Sequence, residues 1–184
     1  MVQGKYVIIV IFGTALAMAV FAWQFRISEG DVVLDYWGVE AASLLRHAKR
    51  VEFLKLDSVD ALDSAATLTI NGTQQSITSV EDISLRKGLI HPRHIFILDH
   101  TYLWEESPPK DIPNWHFALR FSDGDKEATL LFHKQNHAVQ MLDNNKPLIM
   151  GPMFDNFLDY LQREGIYGMI RNEAQTTLLE PIEQ

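Results

Sequence analysis

The chain has 184 residues, no cysteine, and 24 acidic against 16 basic side chains. The absence of cysteine excludes disulfides, thiol catalysis, Cys-ligated zinc and iron–sulfur clusters. All 24 acidic residues but only 14 of the 16 Lys and Arg follow Arg26, so that part carries a formal charge of −10. Such an acidic domain argues against nucleic acid as a partner and against lying flat on an anionic lipid surface.

The first element is an uncharged apolar run of eighteen residues from Tyr6 to Trp23. As a helix it would cover about 27 Å, close to the ~30 Å hydrocarbon core of a bilayer. Tyr6 and Trp23 lie at its two ends, where amphipathic rings prefer the headgroup level. We therefore predict a membrane anchor over residues 1–26, with residues 6–23 in contact with the lipid bilayer.

The same run has features of a secretion signal, since Ala17-Met18-Ala19 and Val20-Phe21-Ala22 resemble cleavage patterns. A signal's apolar region usually runs about 7–15 residues, however, and this one is longer. The short basic tail around Lys5 favours a cytoplasmic N-terminus. We interpret the run as an uncleaved single-pass anchor that leaves the domain extracytoplasmic, which means periplasmic in a bacterium.

After the anchor, residues 27–34 are predicted to form a polar tether. Asp35 is the expected N-cap of a helix over Tyr36–Lys49, whose apolar stripe consists of Val39, Ala41, Ala42, Leu44, Leu45 and Ala48. A strand is expected at Val51–Leu56.

The middle third holds a clear hairpin signal, in which Thr67–Ile70 and Thr73–Ile77 flank the turn Asn71-Gly72. Ser79 begins a variant capping box that predicts a helix over residues 80–87. The unbroken apolar run Ile95–Leu98 predicts a strand covered on both faces, and the prolines after Glu105 predict an irregular loop to Asn114.

The last third predicts a meander of strands and a closing helix. Residues 115–121 alternate with period two, so Trp115, Phe117, Leu119 and Phe121 are expected on one face. Turns at Asp123-Gly124 and at residues 134–137 lead into strands at 128–133 and 138–142. Pro152 suits the first turn of a helix that runs to Glu164, and Gly165 suits its exit.

These elements predict an α+β fold: one N-terminal transmembrane helix followed by a mainly antiparallel β-sheet domain with helices packed on one face. The soluble domain is expected at residues 35–170. Residues 171–184 are polar and are expected to form a loose tail, or an arm that docks on a partner.

Seven histidines raise the question of a metal site. His91, His94 and His100 with Asp99 offer suitable ligand types, but the predicted strand between His94 and His100 would hold those two about 16 Å apart or more. His133 and His137 have the outer spacing of a zinc-protease helix, yet Glu is absent from position 134. We assign no catalytic, cofactor-binding or metal residue, and we expect no enzyme activity.

Aromatic residues give the candidate partner contacts, which are Tyr36, Trp37, Tyr102 and Trp104. With the anchor, they suggest a non-catalytic accessory or assembly subunit of a larger membrane protein complex, whose other subunits are the partners. One alternative is an exported binding or inhibitor-like domain, tethered or released by signal cleavage. A hydrolase with a site assembled from scattered His, Asp and Glu is the third hypothesis.

Overall fold

Helices precede, interrupt and follow one β-sheet along the chain. The computed structural model describes residues 3–28, 30–57, 66–109, 112 and 114–167. Its helices are α1 (Gln3–Ser28), α2 (Asp31–Trp37), α3 (Val39–His47), α4 (Ile90–Ile95) and α5 (Met153–Arg163). Its strands are β1 (Arg50–Asp57), β2 (Thr67–Ile70), β3 (Thr73–Asp82), β4 (Phe117–Asp123), β5 (Lys126–His133), β6 (Ala138–Met141) and β7 (Leu148–Ile149), and a short 3-10 helix covers Asp99–Thr101. The described residues therefore confirm the α+β class.

The seven strands form one antiparallel sheet in the order β2-β3-β1-β4-β5-β6-β7. An irregularity between Lys55 and Leu56 shifts the register of β1 against β3, and such bulges bend a strand. The sheet curls so far that Gln140 of β6 donates its side-chain N–H to Asn71 of the β2–β3 turn at 3.1 Å. The β2–β3 end of the sheet thus folds back over the other strands.

Because side chains alternate along a strand, each face of the sheet buries its own apolar set. The larger core lies between the sheet and helices α2 to α5, and it centres on Phe117, which stacks on Phe132 at 4.9 Å and on Phe53 at 5.3 Å. The smaller core fills the curled side and contains Leu54, Leu56, Leu68, Ile70, Trp115, Ala118, Leu131 and Ala138. Trp115 was expected to share a face with Phe117, but it precedes β4 and packs in the smaller core instead.

Local signals predicted several elements correctly. Asn71 and Gly72 both have positive φ, 52° and 83°, as a two-residue hairpin turn requires. The strands at β1, β4, β5 and β6 and the helix α5 appear where the patterns placed them. Gly165 follows α5 with φ 70°, in agreement with its expected role at the helix exit.

Two predicted elements of the middle third are wrong. Residues 79–82 extend β3 instead of opening a helix, because they pair with residues 52–55 of β1. Those ladder hydrogen bonds outweigh the local capping preference of Ser79. The expected strand Ile95–Leu98 is the end of α4 and the turn after it; a short apolar run does not distinguish a buried strand from a buried helix.

The predicted helix over residues 36–49 is two helices joined at Gly38, which has φ 85° and ψ 151°. This backbone conformation is open to glycine and strained for other residues. The first helix begins at Asp31 within the predicted tether, and Val33 is completely buried. The predicted tail at 171–184 lies outside the described residues.

Candidate interaction surface after the N-terminal helix

The carboxylate of Asp99 binds the chain directly after α1. Its Oδ2 accepts the N–H of Gly30 at 2.8 Å, and its Oδ1 accepts the N–H of Val33 at 2.9 Å. The first N–H groups of a helix have no partner within the helix, so Asp99 acts as an N-terminal cap supplied from elsewhere in the chain. Only residue 29 separates α1 from this contact, which therefore fixes the start of α2 on the domain.

Gly30 permits this close approach. Its φ is 101°, and a Cβ at this position would lie 3.3 Å from the carbonyl oxygen of Ile97. A larger residue would therefore strain the backbone and press on the loop that carries Asp99. The sequence offers no local signal for the contact, because Gly30 and Asp99 are 69 positions apart.

The four predicted partner contacts form one aromatic cluster next to α2. Ring centroids are 4.8 Å apart for Tyr36–Trp37, 5.6 Å for Tyr36–Trp104 and 5.3 Å for Tyr102–Trp104. The indole N–H of Trp104 donates to the carbonyl oxygen of Asp99 at 2.8 Å, so the cluster and the Asp99 cap form one continuous structure.

Burial divides the cluster into two pairs. Trp37 and Tyr102 are only 6% and 3% exposed, and the Tyr102 hydroxyl donates to the carbonyl oxygen of Phe96 at 2.7 Å. Burial raises the pKa of Tyr102 far above its usual value, so this hydroxyl stays protonated. These two rings belong to the core, and the partly exposed Tyr36 and Trp104 remain to present an aromatic surface.

Exposed aliphatic side chains also occur on α2 and at the first residue of α3. Val32 is 47% exposed, Leu34 37% and Val39 73%. A groove of ≈ 280 Å³ runs between α2 and α3; it is lined by Gly30, Leu34, Val39, Ala42, Ser43, Arg46, His47 and Ile97. The sequence predicted one continuous helix over residues 36–49 with Val39 in its apolar stripe. Because the helix is interrupted at Gly38, Val39 begins α3 instead and is exposed. We use the name interaction surface for the exposed or partly exposed apolar residues around α2, which are Val32, Leu34, Tyr36, Val39 and Trp104.

The helix α1 precedes this surface in the chain. Residues Tyr6–Gln24 are long and apolar enough to cross a membrane by length and composition, and none of them is buried in the domain. Tyr6 and Trp23, the predicted ends of the anchor, are each 64% exposed. The hydroxyl of Thr14 donates to the carbonyl oxygen of Val10 at 2.9 Å, which satisfies the one polar side chain in the middle of the apolar stretch.

Two of the residues considered as metal ligands have other settings. His91 lines a groove between α4 and α5, and Asp99 is occupied by the two amides of α2. Across the described ranges, no three His, Asp or Glu side chains stand together as ligands for a metal ion. The hypothesis of a metal-dependent hydrolase receives no geometric support from these residues.

His116 and His133 form a separate pair at the end of β5, with ring centroids 4.7 Å apart. Each Nδ1 accepts a backbone N–H, His116 from Lys134 and His133 from Asn136, both at 3.3 Å. Burial lowers the pKa of His116, and the neighbouring His133 and Lys134 lower it further. Burial also lowers the pKa of His133. Both imidazoles are therefore neutral at pH 7 and serve here as hydrogen-bond acceptors.

The chain was compared with protein-family models, with curated proteins and with solved structures, and none of them matches it.

Proposed function

We propose that this protein is a membrane-anchored, non-catalytic accessory or assembly subunit of a larger membrane protein complex. Helix α1 spans the bilayer once beside helices of the other subunits. The domain lies on the extracytoplasmic side and contacts the complex through the interaction surface. The observation that carries the proposal is the pair of hydrogen bonds that the N–H groups of Gly30 and Val33 donate to the carboxylate of Asp99.

Those hydrogen bonds matter because they hold the surface close to the membrane. Helix α1 continues for four residues, or about 6 Å, from Gln24 to Ser28, and Gly30 follows two positions later. With α2 fixed on the domain by Asp99, the domain has little freedom to move away from the end of α1. The residues of the interaction surface on α2, which begin at Val32, therefore lie within a few residues of the emerging helix.

The chemistry of the surface favours protein over lipid as its occupant. Aromatic and aliphatic side chains such as Tyr36, Trp104 and Val39 suit the buried centre of a protein interface. A domain with a formal charge of −10 is repelled by anionic headgroups. Within the membrane, the small residues Gly13, Ala15, Ala17 and Ala19 permit close helix contacts, and a Cβ at Gly13 would meet open space.

Site-specific photo-crosslinking in native membranes tests the proposal. A photoreactive side chain replaces Val39 in the interaction surface, and a matched control replaces Val80, an exposed valine (53%) on β3. We expect Val39 to yield a discrete adduct with another membrane protein that Val80 does not yield. Adducts to lipid alone, or equal adducts from both positions, would refute the proposed interface.

Two further measurements test the anchor and the complex. Mild-detergent extracts should contain the chain in a larger assembly, and migration as an isolated 21.0 kDa species would argue against a subunit role. Carbonate washing should leave the chain in the membrane pellet. A soluble form whose mass begins near Val20 or Trp23 would instead support the exported, signal-cleaved domain.

The orientation has its own test. Lys5 and the short N-terminal tail favour a cytoplasmic N-terminus, which places the domain outside. Because the chain has no native cysteine, a cysteine introduced at exposed Leu85 reports its own location. In intact cells this thiol should react with a membrane-impermeant maleimide, and protection until lysis would reverse the orientation.

A further inference from the structure

A second groove lies between α4 and α5, on elements that the interaction surface does not include. It encloses ≈ 410 Å³. Its apolar lining comes from Pro92, Ile95, Met153, Phe157 and Tyr160, and its polar lining from Lys87, His91, Asn156, Arg163 and Glu164. Phe157 is 1% exposed, so the floor of the groove is continuous with the larger core.

The walls of the groove are held in place by a contact across it. The hydroxyl of Tyr160 donates to the carbonyl oxygen of Lys87 at 3.2 Å. Gly88, with φ 77°, lets the chain turn there, and a Cβ at this glycine would lie 3.6 Å from the Tyr160 ring. The groove is thus a fixed feature of the α4–α5 packing.

The charge of the groove is opposite to that of the domain. Lys87 and Arg163 contribute two positive charges, His91 is a further basic side chain, and Glu164 is the one acidic side chain among the described lining residues. The part of the chain after Arg26 carries −10 overall. An apolar floor with a basic rim suits a segment that alternates aliphatic and acidic residues.

We propose that residues 178–183 of this same chain bind in the α4–α5 groove. Their sequence is Leu-Leu-Glu-Pro-Ile-Glu. Leu178, Leu179 and Ile182 match the apolar floor, and Glu180 and Glu183 match the basic rim. Pro181 disfavours a helix at this point, so the segment lies extended along the groove. This docking is independent of the proposed interaction surface and of its partner.

The chain after Tyr167 starts within reach of the groove. Ile166 and Tyr167 donate their backbone N–H groups to the carbonyl oxygen of Leu161 at 2.9 and 3.1 Å, which holds the last described residues against α5. Glu164, three residues before Tyr167, lines the groove. The eleven residues from Tyr167 to Leu178 reach up to about 40 Å when extended. A tether of this length gives an effective concentration on the order of millimolar, which makes weak contacts sufficient.

Disulfide trapping in the full-length chain tests the proposal, and the absence of native cysteine makes the labels unique. The test variant carries Asn156→Cys in the groove and Leu179→Cys in the segment. The matched control carries Gln162→Cys with Leu179→Cys, because Gln162 is exposed on α5 but does not line the groove. At low protein concentration in detergent, we expect the test pair to form an intramolecular disulfide at least ~10-fold faster than the control pair.

Charge exchange then separates specific docking from damage to the fold. Lys87→Glu with Arg163→Glu should slow trapping several-fold, and Glu180→Lys with Glu183→Lys should slow it equally. Combining all four substitutions should restore the original rate, since opposite charges face each other again.

Other outcomes would overturn the proposal. Equal trapping rates in test and control pairs would mean that the segment does not prefer the groove. A concentration-dependent intermolecular disulfide would assign the groove to a second copy of the chain. If the variant with all four substitutions does not regain the original trapping rate, the basic rim does not pair with Glu180 and Glu183.

Discussion

Replacing Asp99 by alanine removes both hydrogen bonds that fix α2 on the domain. Loss of a helix N-cap costs about 0.5–2 kcal/mol, and hydrogen bonds to charged groups contribute about 1.5–3 kcal/mol each. Asp99 is only partly buried, so water replaces some of the lost interaction. We therefore expect the free energy of unfolding to fall by about 2 kcal/mol, which lowers the Tm by roughly 4–8 °C for a domain of this size.

The assay is thermal unfolding of the full-length protein in detergent, followed by the fluorescence of its four tryptophans. Asp99→Asn keeps one acceptor oxygen and should lose about half as much stability. Asp35→Ala is the control on α2, because Asp35 is exposed and should change stability by less than about 0.5 kcal/mol. If Asp99→Ala unfolds at the same temperature as Asp35→Ala, Asp99 does not hold α2.

Hydrogen exchange adds a local readout to the same comparison. In the Asp99→Ala variant, the amides of Gly30 and Val33 lose their acceptors and should exchange much faster. The amides of the β4–β5 pair should exchange faster only by the amount that the lower free energy of global unfolding accounts for. Uniformly faster exchange across the domain would instead indicate that Asp99 supports the whole fold and has no special effect on α2.

Three further predictions concern the core, a turn and pH. Phe117→Ala leaves a cavity between two stacked rings and should cost about 3–5 kcal/mol in urea unfolding, whereas Leu85→Ala, at a 99% exposed site, should cost less than about 0.5 kcal/mol. Gly38→Ala should cost about 1–3 kcal/mol because its φ is 85°, and an unchanged urea midpoint would contradict the observed backbone. The pKa of His116 is lowered in the folded state, so the unfolded chain binds this proton more tightly. The stability that neutral His116 contributes is therefore complete above the unfolded-state pKa of about 6.5 and is lost as pH falls through the folded-state pKa. His116→Asn, which keeps a hydrogen-bond acceptor, should flatten the decline in unfolding free energy between pH 7 and 5; an equally steep decline would contradict the assignment.

Local geometry explains which elements sequence patterns predicted well. The Asn71-Gly72 turn depends on two positive φ angles, and the hairpin follows from them without help from distant residues. The alternation in β4 works in the same way, because period-two spacing places Phe117, Leu119 and Phe121 on one face of any sheet. Pro152 and Gly165 bound α5 through their own backbone preferences.

The elements that were predicted wrongly depend on contacts far along the chain. Residues 79–82 carry a helix-capping pattern, yet pairing with residues 52–55 makes them a strand. A second contact between distant residues joins α4 to the end of α3. The guanidinium of Arg93 in α4 donates to the carbonyl oxygens of Leu45 and Leu44 at 2.8 and 3.2 Å. That contact joins residues 48 and 49 positions apart and helps to hold α4, which ends at Ile95, where the predicted strand Ile95–Leu98 was expected to begin.

In the candidate site, too, some features were visible in the sequence and others depend on contacts between distant residues. Composition alone identified Tyr36, Trp37, Tyr102 and Trp104 as a set of interest, and the apolar helix Tyr6–Gln24 was visible in the sequence. Only the folded chain decided that Trp37 and Tyr102 are core residues, that Val39 is exposed, and that Asp99 caps α2. The sequence by itself determined the properties that depend on neighbouring residues, namely the apolar span, the hairpin turn and the strand alternation. The tertiary structure decided the cap, the cluster and the two grooves, because hydrogen bonds between residues 66 to 73 positions apart have no periodic or local pattern in the sequence.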